Sequence, residues 1–212
     1  MENWQKKKKK KKKRIKSLWK RSIKRAFDLF VAGVSILLFL PCFILISIAI
    51  RWEDRGPVLF RQQRIGYGGR PFMIYKFRSM VADAEGDKSP QLCQQNDHRL
   101  TKVGGFLRAH HLDEFPQLFN ILKGEMSFVG PRPERKYFVD QIIEQDSRYA
   151  LLYELRPGVF SMATLYNGYT DTMDKMLRRM EMDLDYLDNC STGLDLKIIL
   201  LTSCFIVSGK KF

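Results

Sequence analysis

Cysteine and histidine are scarce in this chain, which has four cysteines and three histidines among 212 residues. No two cysteines form a Cys-x-x-Cys pair. The sequence therefore predicts neither a disulfide framework nor a zinc site, and a reducing compartment fits better. His110 and His111 are adjacent, but no third ligand follows them at helical spacing. We interpret them as ordinary surface histidines rather than as metal ligands.

Acidic residues are almost absent from the first 25 residues, where Glu2 is the only acid beside fourteen lysines or arginines. This segment contributes +13 of the formal net charge of +14, so the rest of the chain is nearly neutral. The run from Lys6 to Arg14 has no apolar periodicity and is predicted to be disordered and solvated. It could bind nucleic-acid phosphates or anionic lipid headgroups, the latter at about 1 kcal/mol per charge near the surface.

Charge is missing altogether from Leu29 to Ile50, a run of 22 residues. As a helix, this run would extend about 33 Å, enough to cross a hydrocarbon core of about 30 Å. It is too long for the apolar region of a signal peptide. A domain this small also has little with which to surround a helix that is apolar on all sides. The sequence therefore predicts insertion into a membrane.

Two features of the apolar run argue against a simple crossing. Pro41 lies just past its middle, where it removes a backbone hydrogen bond. Basic residues flank both ends, so the positive-inside rule gives no direction. These residues are Lys20, Arg21, Lys24 and Arg25 before the run, and Arg51, Arg55, Arg61 and Arg64 after it. A hairpin that enters and leaves by one face satisfies both flanks, and we predict a re-entrant anchor broken at Pro41.

The chain divides into three predicted parts: a basic arm and pre-anchor (1–25), the re-entrant anchor (26–51) and one domain (52–212). The domain is predicted to be of the α+β class, mainly helical with a short β element. Its apolar tail (194–207) is too short to span a bilayer, so we expect it to lie on the membrane or against the domain.

Within the domain, two strands are predicted at 58–63 and 72–77, separated by a glycine-rich turn. A polar linker is predicted at 83–97. Further helices are predicted from near Asp113 to just before Gly124, over 134–155 and over 172–187.

The stretch from Leu107 to Arg135 contains the candidate chemistry. Asp113 and Glu114 precede Pro116, and proline is tolerated in the first turn of a helix. One interpretation is that Asp113 only caps the helix and Glu114 only interacts with its dipole. The other is that the two carboxylates hold a divalent metal and present a nucleophilic oxygen. The residues alone leave both interpretations open.

Basic residues elsewhere in the sequence favour phosphate chemistry at this pair. Arg108 lies just upstream, and Arg132 stands between two prolines, on a stiff loop that suits a guanidinium gripping a phosphate. Lys76 and Arg78, on and just after the second predicted strand, could also face an anionic substrate. Each of these residues could instead be structural, but the set is coherent for metal-assisted phosphoryl transfer.

Seven motifs follow one another along the chain: KRAFD, GPVLFRQQRIG, YKFRSM, LTKVGGFLR, LDEFPQLFNILKGEMSFVGPRP, RPG and LDLKIIL. In this order they resemble the small monotopic phosphoglycosyl transferases, the bacterial sugar transferase family. The resemblance covers nearly the whole chain from Lys24 onward.

The resemblance implies a Mg²⁺-dependent transfer of a phospho-sugar from a UDP-sugar to a polyprenyl phosphate, usually undecaprenyl phosphate, in two steps. The family's catalytic pair falls on Asp113 and Glu114. Asp113 would attack the β-phosphate, release UMP and carry a phospho-sugar intermediate, while Glu114 would help to place the metal or the acceptor. Arg108 and Arg132 match the family's basic residues at the phosphates.

Localisation and partners are also implied by the resemblance. The domain would be catalytic and lie on the cytoplasmic face of a bacterial inner membrane, with interfacial amphipathic helices. The basic run itself, Lys6 to Arg14, is expected to contact anionic headgroups and not nucleic acid. The sequence leaves open whether the protein forms a homo-oligomer.

Three departures from the family pattern stand out. Leu40 replaces the serine that usually precedes Pro41, Phe115 replaces the usual leucine, and FSMATLYNG at 160–168 replaces TGWAQVNG, which leaves the donor sugar open. Two other functions remain compatible with the sequence: an inactive scaffold of a glycan assembly complex, and a membrane-tethered nucleic-acid binder that uses the lysine arm.

Overall fold

Helices dominate the fold, and the strands form two small sheets. The computed structural model describes the backbone of residues 2–81, 84, 97–167 and 170–208, and the side chains of these residues between 22 and 206. The helices are α1 (Glu2–Asp54), α2 (Lys102–Ala109), α3 (Gln117–Lys123), α4 (Lys136–Gln145), α5 (Met162–Tyr166), α6 (Met173–Asn189) and α7 (Thr192–Ser208). The strands are β1 (Leu59–Ile65), β2 (Pro71–Phe77), β3 (Ser127–Val129) and β4 (Gly158–Phe160). The predicted mainly helical class with a short β element is confirmed.

Helix α1 is long and apolar enough, over Ser22–Asp54, to cross a membrane by length and composition. Only 6% of its most apolar stretch is buried, so the helix presents its apolar surface outward. It continues through Pro41, and the predicted break is not seen in the helix itself. Its backbone is also helical back to Glu2, where the sequence predicted disorder. Lysine is a good helix former, and the arm extends a helix that the apolar segment has already nucleated.

Both flanks of the apolar segment contact the folded domain. Arg25 donates to the carbonyl oxygen of Ile121 at the end of α3, over 2.7 Å. At the other flank, the Glu53 carboxylate accepts from the backbone N–H of Lys102, also over 2.7 Å, in the first turn of α2. Ile50 is buried in the small apolar cluster beneath that helix.

The two predicted strands are confirmed as β1 and β2. They pair antiparallel, with Leu59 opposite Phe77 and Ile65 opposite Pro71. The turn between them contains Gly68, whose φ of 67° lies in the left-handed region that glycine tolerates. The short parallel pair β3–β4 was not predicted, because three-residue strands carry too little alternation to be recognised in a sequence.

The single helix predicted over 134–155 is wrong. The chain instead forms α4, then an extended Asp146 and a 3₁₀ segment, Ser147–Glu154. The Asp146 carboxylate accepts from the N–H of Arg148, which favours a new helical start over continuation of α4.

The helix predicted over 172–187 is confirmed as α6, and Thr172 caps it by accepting from the N–H of Lys175. The predicted apolar tail forms α7. Most of the predicted polar linker at 83–97 lies outside the described residues. The cysteines within them, Cys42, Cys190 and Cys204, are free thiols.

Candidate active site

Asp113 and Glu114 lie in a 3₁₀ turn, Leu112–Glu114, that connects α2 to α3. The turn begins after His111, whose φ of 54° is uncommon for a residue with a side chain. The capping position of α3 is occupied by Pro116. Asp113 is only 5% exposed. The interpretation of Asp113 as the cap of the helix is therefore wrong.

Two of the predicted basic residues meet this pair. The Nζ of Lys76, from β2, lies 2.6 Å from Oε1 of Glu114 and 3.9 Å from Oδ2 of Asp113. The Nη2 of Arg132 lies 3.2 Å from the same Glu114 oxygen. Arg132 remains 37% exposed, so its guanidinium can reach a ligand in solvent as well as Glu114.

These contacts shift the pKa values of the two carboxyl groups in opposite directions. Burial raises the pKa of Glu114, but Lys76 and Arg132 outweigh it and hold that pKa far below its usual range. Burial raises the pKa of Asp113 above its usual value; Lys76 opposes this, and the neighbouring Glu114 charge adds to it. Glu114 is thus a fixed anion, while Asp113 has the more basic and more nucleophilic oxygen.

The other two predicted basic residues are placed differently. The Nε of Arg108 donates to the hydroxyl of Ser79 over 3.0 Å, and its charge still lowers the pKa of Asp113. Arg78 is buried against Asp54 and Gly56, at the end of α1. No contact joins it to the carboxylate pair among the described residues, and its role at a phosphate stays a prediction.

Backbone packing between β3 and β4 fixes the loop that holds Arg132. The N–H of Gly130 donates to Phe160 over 3.1 Å, and the N–H of Gly158 donates to Pro131 over 3.0 Å. A Cβ at Gly130 would lie 2.2 Å from the carbonyl oxygen of Arg156, so the two strands approach too closely for a side chain. This contact explains the glycines of both the GPRP and RPG motifs.

Asn120 is a site residue that the sequence did not reveal. Its buried side chain donates to the carbonyl of Met73 over 2.7 Å and accepts from the N–H of Tyr75 over 3.0 Å. It therefore pairs with β2 as a neighbouring strand would, and it fixes Lys76 relative to α3. The sequence did contain one signal for this role: Asn120 is a polar residue at an apolar position of an amphipathic helix.

His111 is not an ordinary surface histidine. Its side chain is half-buried, and burial lowers its pKa, opposed by the charges of Glu114 and Asp113. Its place two residues before Asp113 in the sequence was the only signal. Among the described residues, no group of three or more histidine, cysteine or acidic side chains is arranged for a metal.

The carboxylates of Asp113 and Glu114 are therefore the groups at this site that could coordinate a metal ion. Mg²⁺ typically takes one or two carboxylates and completes its shell with water and substrate phosphates. The nearest cation to Asp113 is the Lys76 nitrogen at 3.9 Å, so its oxygens are less engaged than those of Glu114. The donor set therefore fits a Mg²⁺ ion that arrives with a phosphate ligand.

Comparison with known proteins gives one family. Residues 19–209 match the sequence profile described as bacterial sugar transferase. Three relatives are similar over most of this chain. In Aeromonas hydrophila, the UDP-N-acetylgalactosamine-undecaprenyl-phosphate N-acetylgalactosaminephosphotransferase is 41% identical over 88% of this chain and 44% of its own length.

The other two relatives both have the name UDP-glucose:undecaprenyl-phosphate glucose-1-phosphate transferase. The Escherichia coli (strain K12) protein is 42% identical over 86% of this chain and 39% of its own length. The Caulobacter vibrioides protein is 42% identical over 84% of this chain and 67% of its own length. The chain thus spans less than half of the first two relatives, and the names differ in the sugar.

Proposed function

The chain belongs to the bacterial sugar transferase family, and on this premise we propose that it transfers a sugar 1-phosphate from a UDP-sugar to undecaprenyl phosphate or a related polyprenyl phosphate. The reaction would start the assembly of a bacterial polysaccharide or glycoconjugate. The relatives' names support the reaction class. The observation that carries the proposal is the pair of a buried Asp113 and a largely buried Glu114 beside Lys76 and Arg132.

The proposed reaction has two displacements at one phosphorus atom. A carboxylate oxygen of Asp113 attacks the β-phosphorus of the UDP-sugar, the bond from that phosphorus to the bridging oxygen breaks, and UMP leaves. An oxygen of the polyprenyl phosphate then attacks the same phosphorus, the bond to Asp113 breaks, and the carboxylate is restored. Splitting one difficult transfer into two steps is the usual advantage of covalent catalysis.

The cations around the pair have defined tasks in this reaction. Lys76 and Arg132 hold Glu114 ionised, and the exposed part of Arg132 binds an oxygen of the transferred phosphate. Asp113 and Glu114 would hold Mg²⁺, which neutralises charge on the diphosphate when bound. Lys76 and, to a smaller extent, Arg108 oppose the rise in the pKa of Asp113 and so favour the ionised form that attacks.

The membrane attachment is proposed to be re-entrant. Because α1 is continuous through Pro41, the support for this proposal comes from the flanks of the apolar segment and not from a break in the helix. Arg25 and Glu53 contact the same folded domain. A simple crossing would place the hydrocarbon core, about 30 Å thick, between the two flanks. Their contacts with one domain favour a segment that enters and leaves by a single face. Cysteine labelling at Asn3 and Gly68 checks this proposal, since labels on opposite sides of the membrane would contradict it.

Two further surfaces suit the cytoplasmic face of the inner membrane. Leu196 and Leu200 lie one turn apart on α7 and are exposed, as expected for an interfacial helix. The run Lys6 to Arg14 would meet anionic headgroups. Deletion of residues 6–14 should weaken binding to anionic vesicles and leave the chemistry intact; loss of the chemistry would instead favour a function in the lysine arm.

The decisive experiment uses purified protein, Mg²⁺ and no lipid acceptor. UDP-glucose and UDP-N-acetylgalactosamine are added separately, since the relatives' names differ in these sugars. UMP release and a mass increase equal to the phospho-sugar are then measured. Asp113→Asn should abolish the mass increase, and the exposed Asp188→Asn should retain it. An adduct that survives Asp113→Asn excludes Asp113 as the nucleophile, and absence of both signals with every UDP-sugar favours a scaffold.

A further inference from the structure

Two phenylalanines of α1 contact the elements that carry the candidate active site. Phe39 and Phe43 are four residues apart, so they share one face of the helix. The ring centroid of Phe43 lies 5.4 Å from that of Phe77 and 6.2 Å from that of Phe115. The centroids of Phe39 and Phe115 lie 5.1 Å apart. All three separations are in the range of favourable aromatic contacts, about 4.5–7 Å.

Phe77 and Phe115 are the chain neighbours of the two groups in the 2.6 Å ion pair of the site. Phe77 follows Lys76 on β2, and Phe115 follows Glu114 at the end of the 3₁₀ turn. Successive side chains of a strand point to opposite faces. Lys76 therefore faces Glu114, while Phe77, which is only 2% exposed, packs towards α1. Phe43 thus lies behind both members of the ion pair.

The ring of Phe43 also reaches α3. Its centroid lies 5.9 Å from that of Phe119, and the two rings are nearly perpendicular, at 79°. Helix α3 carries Asn120, which pairs with β2. One side chain of the apolar segment therefore contacts β2, the turn and α3, the three elements that place the carboxylate pair against Lys76. Most of this segment faces outward instead, since only 6% of its most apolar stretch is buried.

Phe115 adds a contact that depends on the residue type found in this chain. Leucine, the usual residue of the family pattern at this position, has no ring. The aromatic contact with Phe39 therefore requires the phenylalanine that stands here. The turn is thus held against α1 at two successive levels of the helix, by Phe39 and by Phe43.

We propose that Phe43 is a positioning residue for the transfer reaction: its ring sets the distance between β2 and the 3₁₀ turn, and so the alignment of Lys76 with the carboxylate pair. Phe39 supports the turn through Phe115. The effect on transfer rests on the proposed function. The effect on the turn does not, because it concerns contacts within the protein, and the two effects can be tested separately.

Single-turnover adduct formation compares Phe43→Ala with Phe30→Ala in the full chain. Phe30 is the matched control, because it is a phenylalanine of the same helix that is 73% exposed. A misplacement of about 1 Å can slow a reaction about a hundredfold, so Phe43→Ala should lower the maximal rate by about tenfold to a hundredfold. Phe43 lies behind the ion pair and not at the phosphate, so the UDP-sugar concentration at half-maximal rate should change less than about threefold.

The control fixes what would contradict this expectation. Phe30→Ala should stay within about twofold of the unchanged chain. Equal maximal rates in Phe43→Ala and Phe30→Ala would overturn the proposal. If Phe43→Ala does not fold, Phe43→Leu keeps most of the apolar volume without the ring. It should lower the maximal rate at least about threefold, and an unchanged rate would overturn the proposal.

A double-mutant cycle identifies the route of the effect. If Phe43 acts through the alignment of Lys76, Phe43→Ala should slow adduct formation less than about twofold in a Lys76→Met background. Effects that multiply in the double variant would overturn the proposal, because they would show that Phe43 acts independently of the ion pair.

Amide hydrogen exchange, followed by NMR, gives a readout without substrate. The N–H groups of Glu114 and Phe115 donate within the turn, each over 3.3 Å. In Phe43→Ala these amides should exchange at least about tenfold faster than in Phe30→Ala, while exchange in α6 stays the same. Equal exchange in the two variants would overturn the proposal, as would an equal acceleration in α6, which indicates a general loss of stability. If the unchanged chain releases no UMP from any UDP-sugar, the proposed function fails, and the exchange rates still decide whether Phe43 holds the turn.

Discussion

Replacing Lys76 by methionine tests the electrostatics of the carboxylate pair most directly. Methionine keeps the length and apolar stem of the side chain but removes the charge that lies 2.6 Å from Glu114 and 3.9 Å from Asp113. Asp113 is buried and the Glu114 side chain is only 12% exposed, so water replaces the ammonium group poorly. The pKa of each carboxyl group should therefore rise in the variant, and Asp113 should be protonated more often.

The size of the effect follows from the remaining contacts. Removing one partner of a buried ion pair destabilises a protein by about 3–5 kcal/mol. Arg132 still pairs with Glu114 at 3.2 Å, so we expect the lower end, about 3 kcal/mol. For a chain of this length, that loss lowers the apparent Tm by roughly 6–12 °C. Loss of a preorganised cation at the reacting phosphate should slow adduct formation by about 10²–10³-fold.

Thermal unfolding in detergent and single-turnover adduct formation measure the two effects. Lys136→Met is the control, because Lys136 pairs with Asp140 at the surface, where such pairs contribute about 0.3–0.5 kcal/mol. The reasoning is refuted if Lys76→Met and Lys136→Met unfold alike, or if Lys76→Met forms the adduct within about threefold of the normal rate.

Three further predictions concern two supports of the site and a buried acid on α6. Gly130→Ala should destabilise the fold by about 1–3 kcal/mol or more, because its Cβ would overlap the carbonyl of Arg156. Urea titration measures this loss. Gly105→Ala is the control and should be neutral or stabilising, because Gly105 faces open space on α2. Asn120→Ala should lose about 2–3 kcal/mol with its three hydrogen bonds and also slow UMP release; unchanged release would remove it as a support of β2. Asp183 has a raised folded pKa of about 7, so ionisation destabilises the fold as pH rises from about 4 to 7. Asp183→Asn should therefore gain stability relative to the unchanged chain between pH 5 and 8, by at most about 4 kcal/mol, and a pH-independent difference would contradict this cause.

Local patterns were sufficient for much of the architecture. The two strands followed from two extended segments around a glycine-rich turn, and α6 followed from its charged, amphipathic pattern. The same patterns failed at Asp146, because a carboxylate that caps a new segment can also stand inside a longer helix. The parallel pair β3–β4 depends on the approach of Gly130 to Gly158, a contact between segments distant in sequence.

The candidate site was predictable in its charged residues but not in their supports. Lys76 and Arg132 were expected near the carboxylates on chemical grounds, and the structure places both there. Asn120 acts through backbone groups of another segment, the carbonyl of Met73 and the N–H of Tyr75. Such contacts leave no periodicity or spacing in the sequence, because any buried polar residue can take any nearby N–H or carbonyl as its partner.

The surroundings of Asp113 differ from those of a carboxylate that caps a helix. A capping carboxylate accepts N–H groups at the end of a helix, and these contacts lower its pKa. Asp113 is instead buried inside a 3₁₀ turn, and its pKa is raised. Glu114, the next residue, takes the closest contacts of both cations and stays ionised. A second, poorly compensated acid beside the first does not stabilise a fold. In the proposed two-step transfer, the same arrangement supplies a nucleophilic oxygen at Asp113 next to a fixed negative charge at Glu114 that organises the cations.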